Sequence, residues 1–386
     1  MKSVSILGST GSVGTQTLEV VGRFRDRLEI SALAAGSNAE LLLEQAKQFR
    51  PRLVSVASEA DAARLREALA DPAIRVANGA EGLLEVASEP SDLVIGALVG
   101  RLGLEPILAA LRSGSHVALA NKEVLVTAGQ LVLEEARRAD TAILPLDSEH
   151  VAIHQCLAGQ RREDLSRVVL TASGGPFREA TREQMATATP EQALAHPNWD
   201  MGAKITIDSA TLLNKGFEVI EARWLFDLEP ERIDVVIHPE SIVHSLVEFR
   251  DGSWLAQLGI PDMRIPIAYT LGMPERLPLP DLPALDLVEI SELHFEAPDL
   301  ERFPALGLAR EALQRGGTAP AVLNAANEVV VAAFLSGRIP FPAIATTLAR
   351  VLDEEPALPG LTLDEIREAD QRARARTLDT IEAHHP

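Results

Sequence analysis

Short apolar runs alternate with helix-period stretches over the first 146 residues. Ser3-Val4-Ser5-Ile6-Leu7 reads as a strand. The glycine turn Gly8–Gly14 and an amphipathic helix from Thr15 to about Val21 follow it. A second strand covers Leu28–Ala34. The alternation continues as helix 39–49, strand 53–57, helix 59–70, strand 74–77, helix 79–87, strand 92–96, helix 104–112, strand 115–119 and strand Thr141–Leu146. Repeated strand–helix units predict a doubly wound, mostly parallel sheet.

From residue 165 the period changes. Ser166–Thr171 reads as a strand that runs into the polar glycine turn Ala172-Ser173-Gly174-Gly175-Pro176-Phe177. Residues 178–203 show little periodicity and read as loop, whereas Ile205–Glu221 reads as a helix. Strands Ile233–Ile237, Ile242–Phe249 and Trp254–Leu258 come next, with Asp251-Gly252 as a hairpin turn. Six prolines mark 274–304 as an extended linker. Helical runs near 305–315, 320–336, 341–353 and 362–382 complete the chain. The expected fold class is α/β: an N-terminal doubly wound Rossmann-like domain (1–146), a central α+β catalytic domain with an open sheet (147–273), a linker (274–304) and a C-terminal helical bundle (305–386).

A length of 386 residues and 46% apolar content suit a protein of two or three domains with ample core. The net charge of −20 argues against nucleic acid or an anionic membrane as partner. Any anionic ligand must then be held by local positive groups. A single cysteine, Cys156, excludes an internal disulfide framework and fits a reducing compartment. The N-terminus has no basic segment leading into a long apolar one, and the most apolar region, Leu93–Leu111, is interrupted by Gly96, Gly100, Arg101, Gly103, Glu105 and Pro106. Neither a signal peptide nor a transmembrane helix is expected, and the chain reads as cytoplasmic. There are 31 Arg against five Lys, yet Lys122, Lys204 and Lys215 all fall in polar, motif-like segments. A compact, movable ammonium does there what a planar guanidinium cannot.

Strand, glycine turn and helix together are the context a nucleotide-binding loop needs, with backbone close to a pyrophosphate and free N–H groups at the helix start. The second strand ends Ala34-Ala35-Gly36-Ser37-Asn38, without the acid that usually holds an unphosphorylated ribose, which favours NADPH over NADH. The same three polar residues also suit a helix cap. Strand 115–119 ends in Ala120-Asn121-Lys122-Glu123, at the carboxyl edge where ligands bind in such sheets; Asn121 would equally cap a helix. Asp147 and Glu149 stand two apart after a strand. They suit a hard divalent ion if a third carboxylate such as Glu218 joins them, or otherwise a helix start. Ser173 and its glycines can face an anion. Trp199 and Met201, in His196-Pro197-Asn198-Trp199-Asp200-Met201-Gly202, suggest a closing flap, or a loop pinned by Trp199. On a helix, Asn214 and Glu218 lie one turn apart with Lys215 beside them. That is either a functional face or a solvated face carrying an ion pair. His238 and His244 read as structural.

Taken in order, GSTGSVG, ANKE, LDSEH, TASGGPF, HPNWDMG and ITIDSATLLNKGFEVIEA resemble the 1-deoxy-D-xylulose 5-phosphate reductoisomerase family along the whole chain. The resemblance implies NADPH bound by Thr10, Gly11, Ser12, Val13, Gly36, Ser37 and Asn38, with Asn121, Glu123 and Gly202. It implies a divalent metal (Mn²⁺, Mg²⁺ or Co²⁺) on Asp147, Glu149 and Glu218. Lys122, Ser148, Glu149, Ser173, His196, Trp199, Ser209, Asn214, Lys215 and Glu218 would meet the phosphorylated sugar, with Lys122, Asp147, Glu149 and Glu218 as the catalytic set. The implied reaction rearranges and reduces the substrate to 2-C-methyl-D-erythritol 4-phosphate in isoprenoid precursor synthesis, in a homodimer. Some family members carry a basic residue where this chain has Ser37, which removes one contact to the 2′-phosphate. The rival is a dehydrogenase of the aspartate-semialdehyde type, which needs a nucleophilic cysteine that only Cys156 could supply. A nucleotide-sensing protein without turnover is the non-enzymatic alternative.

Overall fold

The computed structural model describes residues 1–199 and 201–384, which form two compact units. The first unit comprises Met1–Val124, Val132–Asp147 and Asp262–Leu279; the second comprises Leu125–Leu131, Ser148–Pro261 and the described part of Pro280–Pro386.

The first unit is a seven-stranded, wholly parallel sheet built from β1 (Lys2–Leu7), β2 (Leu28–Ala34), β3 (Leu53–Val56), β4 (Arg75–Asn78), β5 (Leu93–Gly96), β6 (His116–Leu119) and β7 (Ile143–Pro145). The strand order is β4-β3-β2-β1-β5-β6-β7, so the winding reverses beside β1, whose neighbours are β2 and β5. Val4, Ile6, Leu33, Val54 and Ile95 are essentially inaccessible, as expected of strands covered by helices on both faces. The segment Asp262–Leu279 belongs here because of its apolar residues: Ile267, Ala268, Leu271 and Leu277 complete the same core as Val4 and Ile6.

The second unit holds a mixed sheet of β8 (Leu165–Ala172), β9 (Ile233–Ile237), β10 (Val243–Phe249) and β11 (Trp254–Leu258) in the order β11-β10-β8-β9. β8 and β9 run parallel, and β10 pairs antiparallel with both β8 and β11. The helices Ser148–Leu157 and Leu213–Phe226 pack on this sheet. Helices Ala305–Arg315, Ala319–Leu335, Phe341–Glu354 and Leu363–His384 make the C-terminal bundle, whose apolar residues join those of the sheet in one core. No described helix is long and apolar enough to cross a membrane.

The fold class follows the sequence reading, with two local differences. Residues 178–203 are not all loop: Arg182–Ala186 and Pro190–Ala193 are short helices. Each starts with a reciprocal cap, Thr181 with Gln184 and Thr189 with Gln192, a Thr-x-x-Gln pattern that needs no long apolar period. The helix read over Ile205–Glu221 breaks into Ala203–Ala210 and Leu213–Phe226. Leu212 takes a left-handed φ of 60°, and the Thr211 hydroxyl binds the carbonyls of Ile207 and Asp208 at 3.2 and 3.1 Å.

Candidate active site

In the first unit the turn after β1 closes on itself. The Gly8 and Ser9 N–H groups donate to the Ala34 carbonyl and Gly11 N–H donates to Gly8 O. Gly14 must be glycine, because a Cβ there would stand 2.2 Å from Gly8 O. Helix Ser12–Arg23 then begins at Gly11 with no side-chain cap and no acid in its first turn, while Gly11 and Ser12 are exposed and Thr10 and Val13 half-buried. An uncapped, acid-free helix start presents N–H groups and a positive dipole end to an anion. Gly36, Ser37 and Asn38 are exposed after β2, and Asn38 caps helix Ala39–Phe49 by accepting from Leu41 N–H at 3.1 Å. Capping occupies Asn38 Oδ1 but leaves its amide group to donate. Asn121, 3% exposed, donates to Gly100 O at 2.9 Å, and its own Oδ1 has no hydrogen-bond partner among the described residues. A buried carbonyl left in this state suits a ligand that brings a donor. Lys122 is buried and its ammonium lies 2.6 Å from Asp147 Oδ2, which accounts for a lysine at the start of helix Glu123–Arg138.

In the second unit, Glu149, Asn214, Lys215 and Glu218 form one network. Asn214 Nδ2 donates to Glu218 Oε1 at 2.6 Å, and the Lys215 ammonium donates to Glu218 Oε2 and, at 2.8 Å, to Glu149 Oε1. Glu218 is 1% exposed, so this is not a solvated surface pair. Burial alone would depress the Lys215 ammonium, but facing Glu149 and Glu218 outweighs it and holds its pKa above the ordinary lysine value. Ser148 donates its hydroxyl to Glu149 Oε2. Asp147, paired with Lys122, is the last residue of the first unit's second segment and directly precedes Ser148 in the chain. The Glu149 and Glu218 carboxylates offer the hard oxygen donors that suit a divalent cation of the Mg²⁺ or Mn²⁺ type. The Lys215 ammonium lies against both of these carboxylates.

Sequence reasoning missed His150 and Glu221, both fully buried behind Glu218. His150 Nε2 lies 3.0 Å from the Glu218 carbonyl, which can only accept, so that nitrogen carries a proton; Nδ1 is 3.3 Å from Glu221 Oε2. Glu218 and Glu221 stand three apart on one helix, which was the available signal.

A third cluster centres on Ser173. His196 Nδ1 accepts from the N–H groups of Asn198 and Trp199 at 3.2 and 3.0 Å, so the proton of this ring sits on Nε2 and is donated to Ser173 Oγ at 3.0 Å. Gly175 N–H donates to the same oxygen at 3.2 Å. With its oxygen accepting twice, the Ser173 hydroxyl is set to donate outward. Gly175, at φ +69°, brings this turn against Ser209: a Cβ there would lie 2.8 Å from Ser209 O. Burial lowers the His196 pKa and keeps the ring neutral. Asn198 fastens the segment by donating to Pro239 O and Ser241 Oγ, and Trp199, half-buried, stands 6.4 Å from the His244 ring. Gly202 starts helix Ala203–Ala210, and Asp200 lies outside the described residues.

His238 is structural. Its Nε2 accepts from the N–H groups of Ile242 and Val243, and Nδ1 donates to His294 O. Burial pushes the His244 ring's pKa down. Cys156 is 7% exposed and burial pushes its thiol up to about 11, so it cannot serve as a nucleophile near neutral pH.

Comparison with known proteins covers nearly the whole chain. Family models described as 1-deoxy-D-xylulose 5-phosphate reductoisomerase, its C-terminal domain, and DXP reductoisomerase C-terminal domain match residues 4–129, 143–226 and 258–376. A reductoisomerase of that name from Chlorobaculum tepidum is 54% identical over 375 residues, covering 97% of this chain and 98% of the relative. One from Anaeromyxobacter dehalogenans is 55% identical over 385 residues, with the same coverage. The solved Zymomonas mobilis reductoisomerase in complex with NADPH superimposes with a TM-score of 0.93 at 45% identity over 99% of each chain. A DOX-P reductoisomerase in complex with NADPH, fosmidomycin and magnesium gives 0.91 at 42% identity, over 99% of this chain and 98% of that one.

Proposed function

The chain belongs to the 1-deoxy-D-xylulose 5-phosphate reductoisomerase family, and from that premise we propose residue roles for the conversion of 1-deoxy-D-xylulose 5-phosphate to 2-C-methyl-D-erythritol 4-phosphate. The protein is an NADPH- and divalent-metal-dependent oxidoreductase. The observation that carries the residue assignment is the buried network of Glu149, Asn214, Lys215 and Glu218 within the second unit. The aspartate-semialdehyde type of dehydrogenase is not favoured, since the buried Cys156 thiol does not ionise in the working range.

In this reading Asp147, Glu149 and Glu218 would hold the divalent ion, which would supply Lewis acidity when bound. NADPH supplies the hydride for the reduction. Thr10, Gly11, Ser12 and Val13 cradle its pyrophosphate at the uncapped helix start. Gly36, Ser37 and the Asn38 amide receive the 2′-phosphate, with Asn121, Glu123 and Gly202 as further cofactor contacts. Asn121 Oδ1, buried and unsatisfied, accepts from the cofactor. Lys122 and Lys215 exchange carboxylate partners for substrate oxygens, Lys122 next to the reacting carbons. Ser173, Ser209, Asn214 and Lys215 hold the phosphate, with His196 keeping the Ser173 hydroxyl pointed outward. Anchoring the phosphate fixes the reacting carbons from a distance. Ser148 and Trp199 complete the substrate contacts, and Trp199 with Met201 forms a cover that excludes water.

Functionally we divide the chain into cofactor-binding residues 1–146, catalytic residues 147–273, linking residues 274–304 and a helical region from 305. We assign a homodimer joined through the second sheet, because the edge strand β11 leaves Trp254 and Leu255 43% and 40% exposed. A cytoplasmic location fits a lone buried thiol and the absence, among described helices, of one able to cross a membrane. The test is NADPH oxidation with 1-deoxy-D-xylulose 5-phosphate, with and without Mg²⁺ or Mn²⁺. Metal-dependent oxidation is expected, and Glu218→Gln should lower it by at least about a hundredfold with NADPH affinity unchanged. A folded, NADPH-binding sample that oxidises nothing overturns the function. Loss of NADPH binding in the variant overturns the Glu218 assignment.

A further inference from the structure

Three helices of the second unit meet at a buried carboxylate to which the roles above assign nothing. Asp208 directly precedes Ser209 and is 2% exposed. Lys204, one turn earlier, places its ammonium 2.7 Å from Asp208 Oδ2. Asn327, on helix Ala319–Leu335 of the C-terminal bundle, donates from Nδ2 to Oδ1 at 2.7 Å. The Lys204 ammonium also lies 5.1 Å above the ring of Phe217, the fully buried neighbour of Glu218. Helix Ala203–Ala210 is thereby fastened to Leu213–Phe226 on one side and to the bundle on the other.

This fastening answers a need created by Leu212. A continuous helix would set Ser209 relative to Asn214 and Lys215 through its own hydrogen-bond ladder. The left-handed Leu212 interrupts that ladder, so side chains must fix the relation. The chemistry of Asn327 supports a specific task. It is 0% exposed and its Oδ1 has no hydrogen-bond partner among the described residues, a cost that leucine at this position would not incur. What asparagine supplies and leucine cannot is the donor to Asp208.

We infer that Asn327 and Lys204 are positioning residues for phosphate recognition. Through Asp208 they set where Ser209 presents its hydroxyl relative to Asn214 and Lys215. The C-terminal bundle is thus part of the substrate-affinity apparatus, although none of its residues needs to touch the substrate. The inference rests on the assignment of Ser209, Asn214 and Lys215 to the phosphate.

Steady-state kinetics of Asn327→Leu, Lys204→Met and Ser209→Ala test it on the full-length, metal-loaded enzyme, with inorganic phosphate as a competing ligand. Asn327→Leu and Lys204→Met should raise KM for the sugar phosphate by about tenfold, and weaken inhibition by inorganic phosphate by the same factor. Their kcat and KM for NADPH should stay within about twofold of the parent. A general loss of order would instead move kcat and both KM values together, and that result overturns the inference. So does an unchanged substrate KM in both variants while Ser209→Ala raises it. If Ser209→Ala itself leaves KM and phosphate inhibition unchanged, the phosphate assignment fails and takes the inference with it. Should Asn327→Leu not fold, Lys204→Met decides alone, since its side chain is 18% exposed and Asp208 keeps its bond from Asn327.

Discussion

Single side chains in this protein are set by what their neighbours can donate or accept. His196 is the clearest case. Its Nδ1 must remain an acceptor for Asn198 and Trp199, so the Ser173 hydroxyl depends on a neutral ring. Burial holds its pKa below the ordinary histidine value of 6.5, so the neutral form persists through that pH and is lost only as the pH falls further. Substrate KM should therefore be level down to that point and rise below it. The substrate's own phosphate also titrates nearby. The measurement is therefore the ratio of wild type to His196→Gln, which keeps an amide donor without titrating. A ratio constant with pH would remove His196 from this role. Residues of this kind were legible in the sequence only as members of motifs. Nothing in spacing shows that a histidine accepts twice through one nitrogen. The His150–Glu221 and Asp208–Asn327 pairs escaped entirely, because each joins residues that are far apart in the chain.

At the scale of elements, the turn after β8 and the end of helix Ala203–Ala210 approach backbone to backbone through Gly175. Alanine there would need a positive φ and a Cβ 2.8 Å from Ser209 O. Gly175→Ala should displace Ser173 from Ser209, raising substrate KM at least about tenfold while NADPH affinity, measured by fluorescence titration, stays unchanged. Unaltered substrate KM would show that the two turns act separately. Strands and long helices were readable because their apolar periods are local. The short helices Arg182–Ala186 and Pro190–Ala193 were not, since five and four residues carry too few positions to show a period and are specified by caps instead. The break at Leu212 was hidden as well, because leucine favours helix interiors and nothing in its neighbours announces a left-handed residue.

At the scale of the molecule, the second sheet has an edge that water does not suit. On the neighbouring strands Arg167 bonds to Asp234 and Glu248, and its guanidinium stacks 5.3 Å over the exposed Trp254 ring. Polar groups thus frame an apolar edge in the manner of an interface rim. Leu255→Asp should shift the protein toward monomer in sedimentation velocity without altering NADPH affinity, and an unchanged sedimentation coefficient would place the interface elsewhere. The seven-stranded sheet was foreseen from its buried apolar runs. That Asp262–Leu279 rejoins the first unit was not, because the sequence of an apolar helix does not say which core it fills. This return has a consequence for biosynthesis. Ile267, Ala268 and Leu271 are translated about 125 residues after Asp147, a lag of roughly 6–25 s at ribosomal speed. Throughout that lag the nascent sheet shows the cell the patch those side chains will cover, so the first unit, though begun first, is completed only by a passage about two-thirds of the way along the message.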